Sequence, residues 1–169
     1  MTRNTPTDAT PRAAQIIVAS TRASAGIYPD RTGPIIESWL LDRDWAVDAV
    51  HVVPDGDRVG AALAAAIAAR CDLVITTGGT GVSPHDETPE QTLPHLDRLI
   101  PGLAEELRRR GAASTPLALL SRGYVGVARG RTVVVNLPGS TGGVRDGLAV
   151  LDEVLPHLID QLRGVDHTP

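Results

Sequence analysis

Between residues 73 and 92 the chain reads LVITTGGTGVSPHDETPEQT, a spacing of glycines, hydroxyls and carboxylates suited to holding an anion. Leu73-Val74-Ile75 is an apolar run of buried-strand length that ends in Thr76-Thr77-Gly78-Gly79-Thr80-Gly81. Glycines at 78, 79 and 81 leave a backbone with no Cβ to keep a ligand off. Consecutive amides in such a turn can point into one concavity. Asp86 follows, and Thr88-Pro89-Glu90 then reads as a helix start, with Thr88 as N-cap and Pro89 in the first turn. Strand, glycine turn, carboxylate and helix N-terminus in this order form a phosphate site in α/β proteins.

A second stretch repeats that logic. Asn136-Leu137-Pro138-Gly139-Ser140 leads from a strand into a helix opened by Gly142 and Gly143. Ser121-Arg122 adds a hydroxyl and a guanidinium, Ser20-Thr21-Arg22 does the same after the first strand, and Asp55 lies in a Pro-Asp-Gly-Asp turn. Each has a plainer reading beside the functional one. Asp86 suits a helix N-terminus as a dipole partner, Asp55 suits a turn, Ser140 suits an N-cap, and Ser121 and Arg122 suit a loop cap and a surface charge. His85 reads as an exposed loop histidine, because His51, His95 and His157 stand apart from it and from one another.

Composition narrows the chemistry. All 16 basic residues are arginine, a pattern that codon bias in a high-GC genome would produce. Without lysine the chain has no Walker-type phosphate loop and no lysine for a pyridoxal Schiff base. No G-x-G-x-x-G follows the first strand, which argues against a dinucleotide dehydrogenase. A net charge of −4 argues against a general nucleic-acid or membrane-surface binder. The one cysteine, Cys71, excludes an internal disulfide and a Cys-rich zinc site, and reads as an inert residue at a strand entrance. No apolar run reaches membrane-spanning length and the N-terminus has no hydrophobic signal core, so a cytoplasmic location is expected.

The elements that must position these residues follow from periodicity. Gln15–Ser20 reads as the first strand, Pro34 as the start of a helix with Ile35, Ile36, Trp39 and Leu40 on one face, and Ala46–Val53 as a second strand. Asp57 is the expected N-cap of a helix carrying Val59, Leu63 and Ile67. Asp72–Thr77 is the third strand. A helical stretch follows from Pro89, with Glu105/Arg109 and Glu106/Arg110 at i,i+4 and Arg108-Arg109-Arg110 as a solvated helix end. Leu117–Leu120 reads as a short strand, and Tyr124–Ala128 with Arg131–Asn136 as a hairpin around Arg129-Gly130. Val144, Leu148, Leu151, Leu155, Leu158 and Leu162 mark a last helix that Pro156 should interrupt and kink. The expected fold is α/β, with a mostly parallel sheet, one antiparallel hairpin and helices on both faces. Residues 13–163 form the expected single domain, between tails at 1–12 and 164–169. Ligands bind such sheets at the carboxyl ends of the strands, which gathers residues 20–22, Asp55, 78–86 and 136–140 at one edge.

At this point the chain resembles the MogA/MoaB family of molybdenum-cofactor biosynthesis proteins. The matching pieces are STRASAGIYPDRTG (20–33), VVPD (52–55), TTGGTGVSPHDETPE (76–90), PG (101–102), PLALLSRG (116–123) and NLPGS (136–140). The resemblance implies a three-layer α/β/α sandwich and a homotrimer or hexamer. It also implies Mg-ATP-dependent adenylylation of molybdopterin, which prepares the dithiolene for molybdate insertion, and a molybdate-inserting protein as a partner. It puts functional aspartates at Asp55 and Asp86, a glycine loop at Gly78–Gly81 and a serine loop at Ser121. Thr21, His85, Glu87 and Thr141 stand where many relatives carry other residues.

In such a reaction the pterin phosphate is already an anion, so no general base is required. The needs are neutralisation of crowded phosphates and in-line alignment. Asp55 and Asp86, the expected catalytic pair, are then read as Mg²⁺ ligands or ligand-orienting groups rather than bases, and Arg22 and Arg122 as phosphate partners. Ser20, Thr77, Gly78, Gly79, Thr80, Gly81, Ser121, Asn136, Pro138, Gly139 and Ser140 complete the expected site for ATP and molybdopterin. Two alternatives remain at this stage: a molybdopterin carrier without chemistry, and a nucleotide pyrophosphatase on the related fold of competence-damage-inducible proteins.

Overall fold

The structure, a computed structural model, describes residues 11–164. The expected tails therefore lie almost wholly outside the described residues. Strand β1 (Ala13–Ala19) is followed by the short helix α1 (Thr21–Ser24), helix α2 (Gly33–Leu41), and strands β2 (Ala46–Val47) and β3 (His51–Val53). Helix α3 (Asp57–Ala68), strand β4 (Leu73–Thr77), helix α4 (Thr88–Thr92), strand β5 (Arg98–Leu99) and helix α5 (Pro101–Ala112) come next. Strands β6 (Val125–Ala128) and β7 (Thr132–Leu137) and the long helix α6 (Thr141–Leu162) follow to the end of the described residues.

The sheet runs β2-β1-β4-β7-β6-β5, with β3 pairing β1 beyond β2. Pairings among β1, β2, β3, β4 and β7 are parallel; β6 runs antiparallel to β7 and to β5. Residue alternation splits the core into two layers, because successive strand side chains point to opposite faces. Ile16, Val18, Leu73, Ile75, Val133 and Val135 pack with Ile36 and Leu40 of α2 and with Val144, Leu148 and Leu151 of α6. Ile17, Ala19, Val74 and Val134 pack on the other face against Val59, Leu63 and Ile67 of α3. The result is the expected three-layer sandwich. With no phenylalanine in the chain, β-branched residues and leucine fill it.

Several local expectations are corrected. The second strand is two short pieces, with residues 48–50 between them outside the ladder. Gly56, at φ +90°, takes the N-cap position of α3, and Asp57 is its first residue. Glu87 takes that position for α4, leaving Thr88 fully buried as the first helical residue. The stretch after Pro89 is not one helix. A 3₁₀ turn, Leu93–His95, and strand β5 separate α4 from α5. Leu117–Leu120 is no strand but part of a 3₁₀ segment, Pro116–Leu120, whose start is capped by the Thr115 hydroxyl accepting from the Leu117 N–H. Its leucines are exposed. Arg109 pairs with Glu106, as Arg110 does, rather than with Glu105. Pro156 lies within α6 without ending it, where Leu155 and Ile159 anchor the helix on the core.

At the edge away from the strand carboxyl ends, buried Asp72 ties three parts of the chain together. It accepts from the Ala13 N–H (3.0 Å), Arg131 (3.2 Å) and Arg163 (2.9 Å). Burial alone would raise its carboxyl, but the Arg163 hydrogen bond, the Ala13 amide and the two guanidinium charges outweigh it and hold the group below the usual range. Cys71 is buried and donates to the Ala66 carbonyl, and burial pushes its thiol up to about 11.

Candidate functional site

The chain leaves β1 toward β3 on one side and enters β4 on the other, so the exits of β1 and β4 diverge at a topological switch point. Open α/β sheets form a crevice there. In this protein a cleft of about 910 Å³ opens at that place. Its floor is Ala19, Ser20, Thr77, Gly78 and Gly79, and its walls carry Arg22, Arg31, Asp55, Asp86 and Glu87. A second cleft, of about 570 Å³, lies beyond the glycine loop between α5, the 3₁₀ segment and the start of α6. Leu107, Leu117 and Leu120 give it an apolar wall, and Arg108, Ser121 and Ser140 supply polar groups. The two clefts share Gly79, Asp86 and Gly139.

The glycine loop is packed against backbone and carboxylate. Gly78 (φ +91°) passes so close to the Ala19 carbonyl that a Cβ there would lie under 3.0 Å from it. Gly79 (φ +64°) sits between the Asp55 carboxylate and the Thr88 hydroxyl, and a Cβ would meet both. Asp55 Oδ1 and Thr88 Oγ1 are buried with no hydrogen-bond partner among the described residues. Burial first, then the charges of Asp86 and Glu87, raise the Asp55 carboxyl above its usual range, against hydrogen bonding from Thr21. A buried carboxylate oxygen without a donor, facing further negative charge, is a place where a cation would be stabilised.

The structure brings most of the expected residues together, in differing roles. Ser20 and Ser140 cap α1 and α6, their hydroxyls accepting from Ala23 N–H (3.2 Å) and Gly143 N–H (3.1 Å). Thr77 donates to the Pro138 carbonyl at 2.8 Å, joining the glycine loop to the 136–140 loop. Thr80 is buried, and its carbonyl accepts from the Arg122 N–H at 2.8 Å. Ser121 borders the second cleft, and Arg22 is exposed on the rim of the first.

Two expected ligand groups spend their side-chain hydrogen bonds within the protein, although Asn136 borders the second cleft. The Asn136 side chain is buried, accepting from the Tyr124 N–H (3.0 Å) and donating to Thr76 (2.9 Å) and Thr92 (3.0 Å). Arg122 lines neither cleft. Its guanidinium donates to the carbonyls of Gly81 (2.8 Å) and Asp86 (2.7 Å) and pairs with Glu90. The reason is spatial in both cases, since the fold surrounds each side chain's polar atoms with protein partners. Arg31, Glu87 and Arg108 line the clefts without having been expected to take a site role. Arg31 lies within the 20–33 stretch, which was the available signal. Arg108 reaches the carbonyls of Gly123 (3.1 Å) and Ser121 (3.4 Å) only through the packing of α5.

A three-layer α/β/α sandwich with a glycine-loop crevice at its switch point, flanked by acidic and arginine side chains, defines the class: an α/β protein with a cleft shaped like those that take anionic ligands. The comparisons narrow that class. Residues 15–158 match the family described as "Probable molybdopterin binding domain", and the chain belongs to that family. It is 39% identical over 155 residues to the molybdenum cofactor biosynthesis bifunctional protein of Synechococcus elongatus, covering 91% of this chain and 48% of that one. The chain thus spans about half the length of that bifunctional relative. It is 33% identical over 153 residues to the molybdopterin adenylyltransferase of Helicobacter pylori strain J99, covering 88% and 86% of the two chains. Among solved structures, the molybdopterin biosynthesis Mog protein of Mycobacterium ulcerans aligns with a TM-score of 0.87 at 54% identity, over 92% of this chain and 99% of that one.

Proposed function

We propose that this protein adenylylates molybdopterin with Mg-ATP, preparing it for molybdate insertion. The observation that carries the reading is the pair of clefts meeting at Gly79, Asp86 and Gly139. A transferase with two polyanionic substrates needs two sites whose reactive ends converge, and a carrier needs one. The named adenylyltransferase relatives support the same reading.

The reaction balances without a protein base. An oxygen of the molybdopterin phosphate attacks the α-phosphorus of ATP, the bond to the β-phosphate oxygen breaks, and pyrophosphate leaves as adenylylated molybdopterin forms. What the chain contributes is alignment and charge. Arg22 and Arg31, both exposed on the first cleft and with no ion pair among the described residues, are free to meet phosphate oxygens. The N-terminus of α6, at Gly142, gives a further backbone donor beside the second cleft.

Asp55 and Asp86 would hold Mg²⁺. Among the described residues no third His, Cys, Asp or Glu joins them in a metal-binding group. That donor set fits an ion that takes one or two carboxylates and completes its shell with water and substrate phosphates. The buried, partnerless Asp55 Oδ1 fits it too. When bound, the ion would neutralise charge on the triphosphate.

Assembly and location belong to the same proposal. A homotrimer or hexamer in the cytoplasm, handing product to a molybdate-inserting protein, follows from the resemblance. Exposed Leu117, Leu119 and Leu120 are suited to such contacts. No helix among the described residues is long and apolar enough to cross a membrane. The deciding experiment incubates purified protein with molybdopterin and Mg-ATP and measures adenylylated molybdopterin and pyrophosphate. Tight molybdopterin binding without ATP binding at millimolar concentration would establish the carrier instead.

A further inference from the structure

Arg122 spans both ends of one exposed loop. Its Nε donates to the Gly81 carbonyl at 2.8 Å and its Nη2 to the Asp86 carbonyl at 2.7 Å. Nη1 pairs with Glu90 of α4, and the Arg122 backbone N–H holds the Thr80 carbonyl just before the loop. Between those two ends, Val82, Ser83, Pro84 and His85 are exposed and contribute little packing. Within the loop the Asp86 N–H donates to the Ser83 carbonyl at 2.9 Å, and the Ser83 N–H donates to Asp86 Oδ2 at 3.2 Å. That turn folds the carboxylate back over Gly81, where a Cβ would lie 2.7 Å from Asp86 Oδ2.

The guanidinium is a rigid planar fork, so the two carbonyls it holds are fixed at a set separation. One of them belongs to Asp86 itself. Any spreading of the loop ends therefore moves the carboxylate that both clefts share. Glu90 lines neither cleft and occupies the third side of the fork. We propose that Arg122, held by Glu90, is a positioning residue that fixes loop 81–86 so that Asp86 stays at the junction of the two clefts. A phosphate-binding role would require displacing Glu90 and breaking the carbonyl bonds, while Arg22 and Arg31 already face the first cleft. The turnover part of this inference rests on the proposed adenylyl transfer; the loop part does not. The Arg122–Glu90 pair is partly exposed and adds little to global stability, so its effect is read in the loop.

The test uses Arg122→Gln, Arg122→Lys and Glu90→Gln in the full chain, checked for unchanged circular dichroism. Amide hydrogen exchange should quicken across residues 81–87 in Arg122→Gln, with β1, β4 and β7 unaffected. Arg122→Lys should fall between, since one ammonium cannot bridge two carbonyls in a fixed fork. Turnover in Arg122→Gln should fall by on the order of 10- to 100-fold in kcat with KM for both substrates little changed, as expected for misplacement of a group near the reacting atoms. Glu90→Gln should shift kcat in the same direction by less. Unchanged exchange at 81–87 overturns the proposal. So does a rise in KM at constant kcat for Arg122→Gln together with tighter ligand binding by Glu90→Gln, the signature of a guanidinium that binds phosphate directly. If the wild-type chain shows no adenylyl transfer, the proposed function fails and the exchange measurement still decides the role of Arg122 in the loop.

Discussion

Replacing Gly79 with alanine puts a methyl group where the structure has none to spare. Two costs can be separated. The first is conformational: φ is +64°, and a left-handed conformation costs an L-residue about 1–2 kcal/mol. The second is steric, because the new Cβ would crowd both Asp55 Oδ1 and Thr88 Oγ1. Asp55 is the end of a rotatable side chain and can swing away. Thr88 cannot. It is fully buried, its χ1 is stiff, and its own N–H donates to the Gly79 carbonyl at 3.0 Å. Overpacking of this kind costs about 1–3 kcal/mol. The expected destabilisation is therefore about 2–5 kcal/mol in all. Gly26→Ala is the matched control: φ is +72° but nothing lies within 4 Å of the added Cβ, so only the first cost applies. Urea unfolding of both variants, extrapolated linearly, measures the difference. Adding Thr88→Ala to Gly79→Ala should recover part of it, a coupling of about 0.5–3 kcal/mol. Adenylylation should fall as well, because the side chain free to yield is Asp55. If Gly79→Ala loses no more stability than Gly26→Ala and keeps normal turnover, the close packing of loop, carboxylate and hydroxyl described above is wrong.

Asp86→Asn should abolish turnover while leaving circular dichroism and assembly intact, and unchanged adenylylation at saturating Mg²⁺ would refute its assignment. Asp55→Asn should also lose activity but raise the thermal midpoint at pH 7, because burial and the charges of Asp86 and Glu87 disfavour the ionised carboxylate in the folded state. That gain should shrink as pH falls into the carboxylate range and Asp55 protonates, and a lower midpoint at pH 7 would contradict it. Asp72 carries the opposite sign. Its lowered carboxyl contributes stability above the unfolded carboxylate value of about 3.9, lost as pH falls through the folded value. Asp72→Asn should cost about 1–3 kcal/mol at neutral pH and flatten the acid limb of a stability–pH curve. Cys71, with its thiol pushed up to about 11, should resist alkylation at pH 8 until urea unfolds the chain, and rapid native-state labelling would show that the site opens.

The central strands and the sheet edge that carries the two clefts were legible in the sequence. Runs such as Ile16-Ile17-Val18 and Val133-Val134-Val135 are short, apolar and β-branched, and in a parallel sheet covered on both faces such segments have no competing way to bury themselves. Gly78 and Gly79 announced a turn that only glycine can make, and the structure gives both positive φ. Helix starts were less legible, because a good capping residue is a local preference that packing overrides. Thr88 moved into the helix once its side chain was buried against Gly79, and the role of Asp57 passed to Gly56. Leu117–Leu120 had the composition of a strand, but it folds as a 3₁₀ segment against α5, where Ala118 packs on Gly111. What tertiary structure alone decided is where each polar side chain spends its hydrogen bonds. Arg122 and Asn136 have the chemistry of ligand groups in any sequence reading. Only the fold sets Gly81, Asp86 and Glu90 around one, and Thr76, Thr92 and Tyr124 around the other. Those partners lie 12 to 60 residues away along the chain, and no local spacing encodes an encounter at that separation.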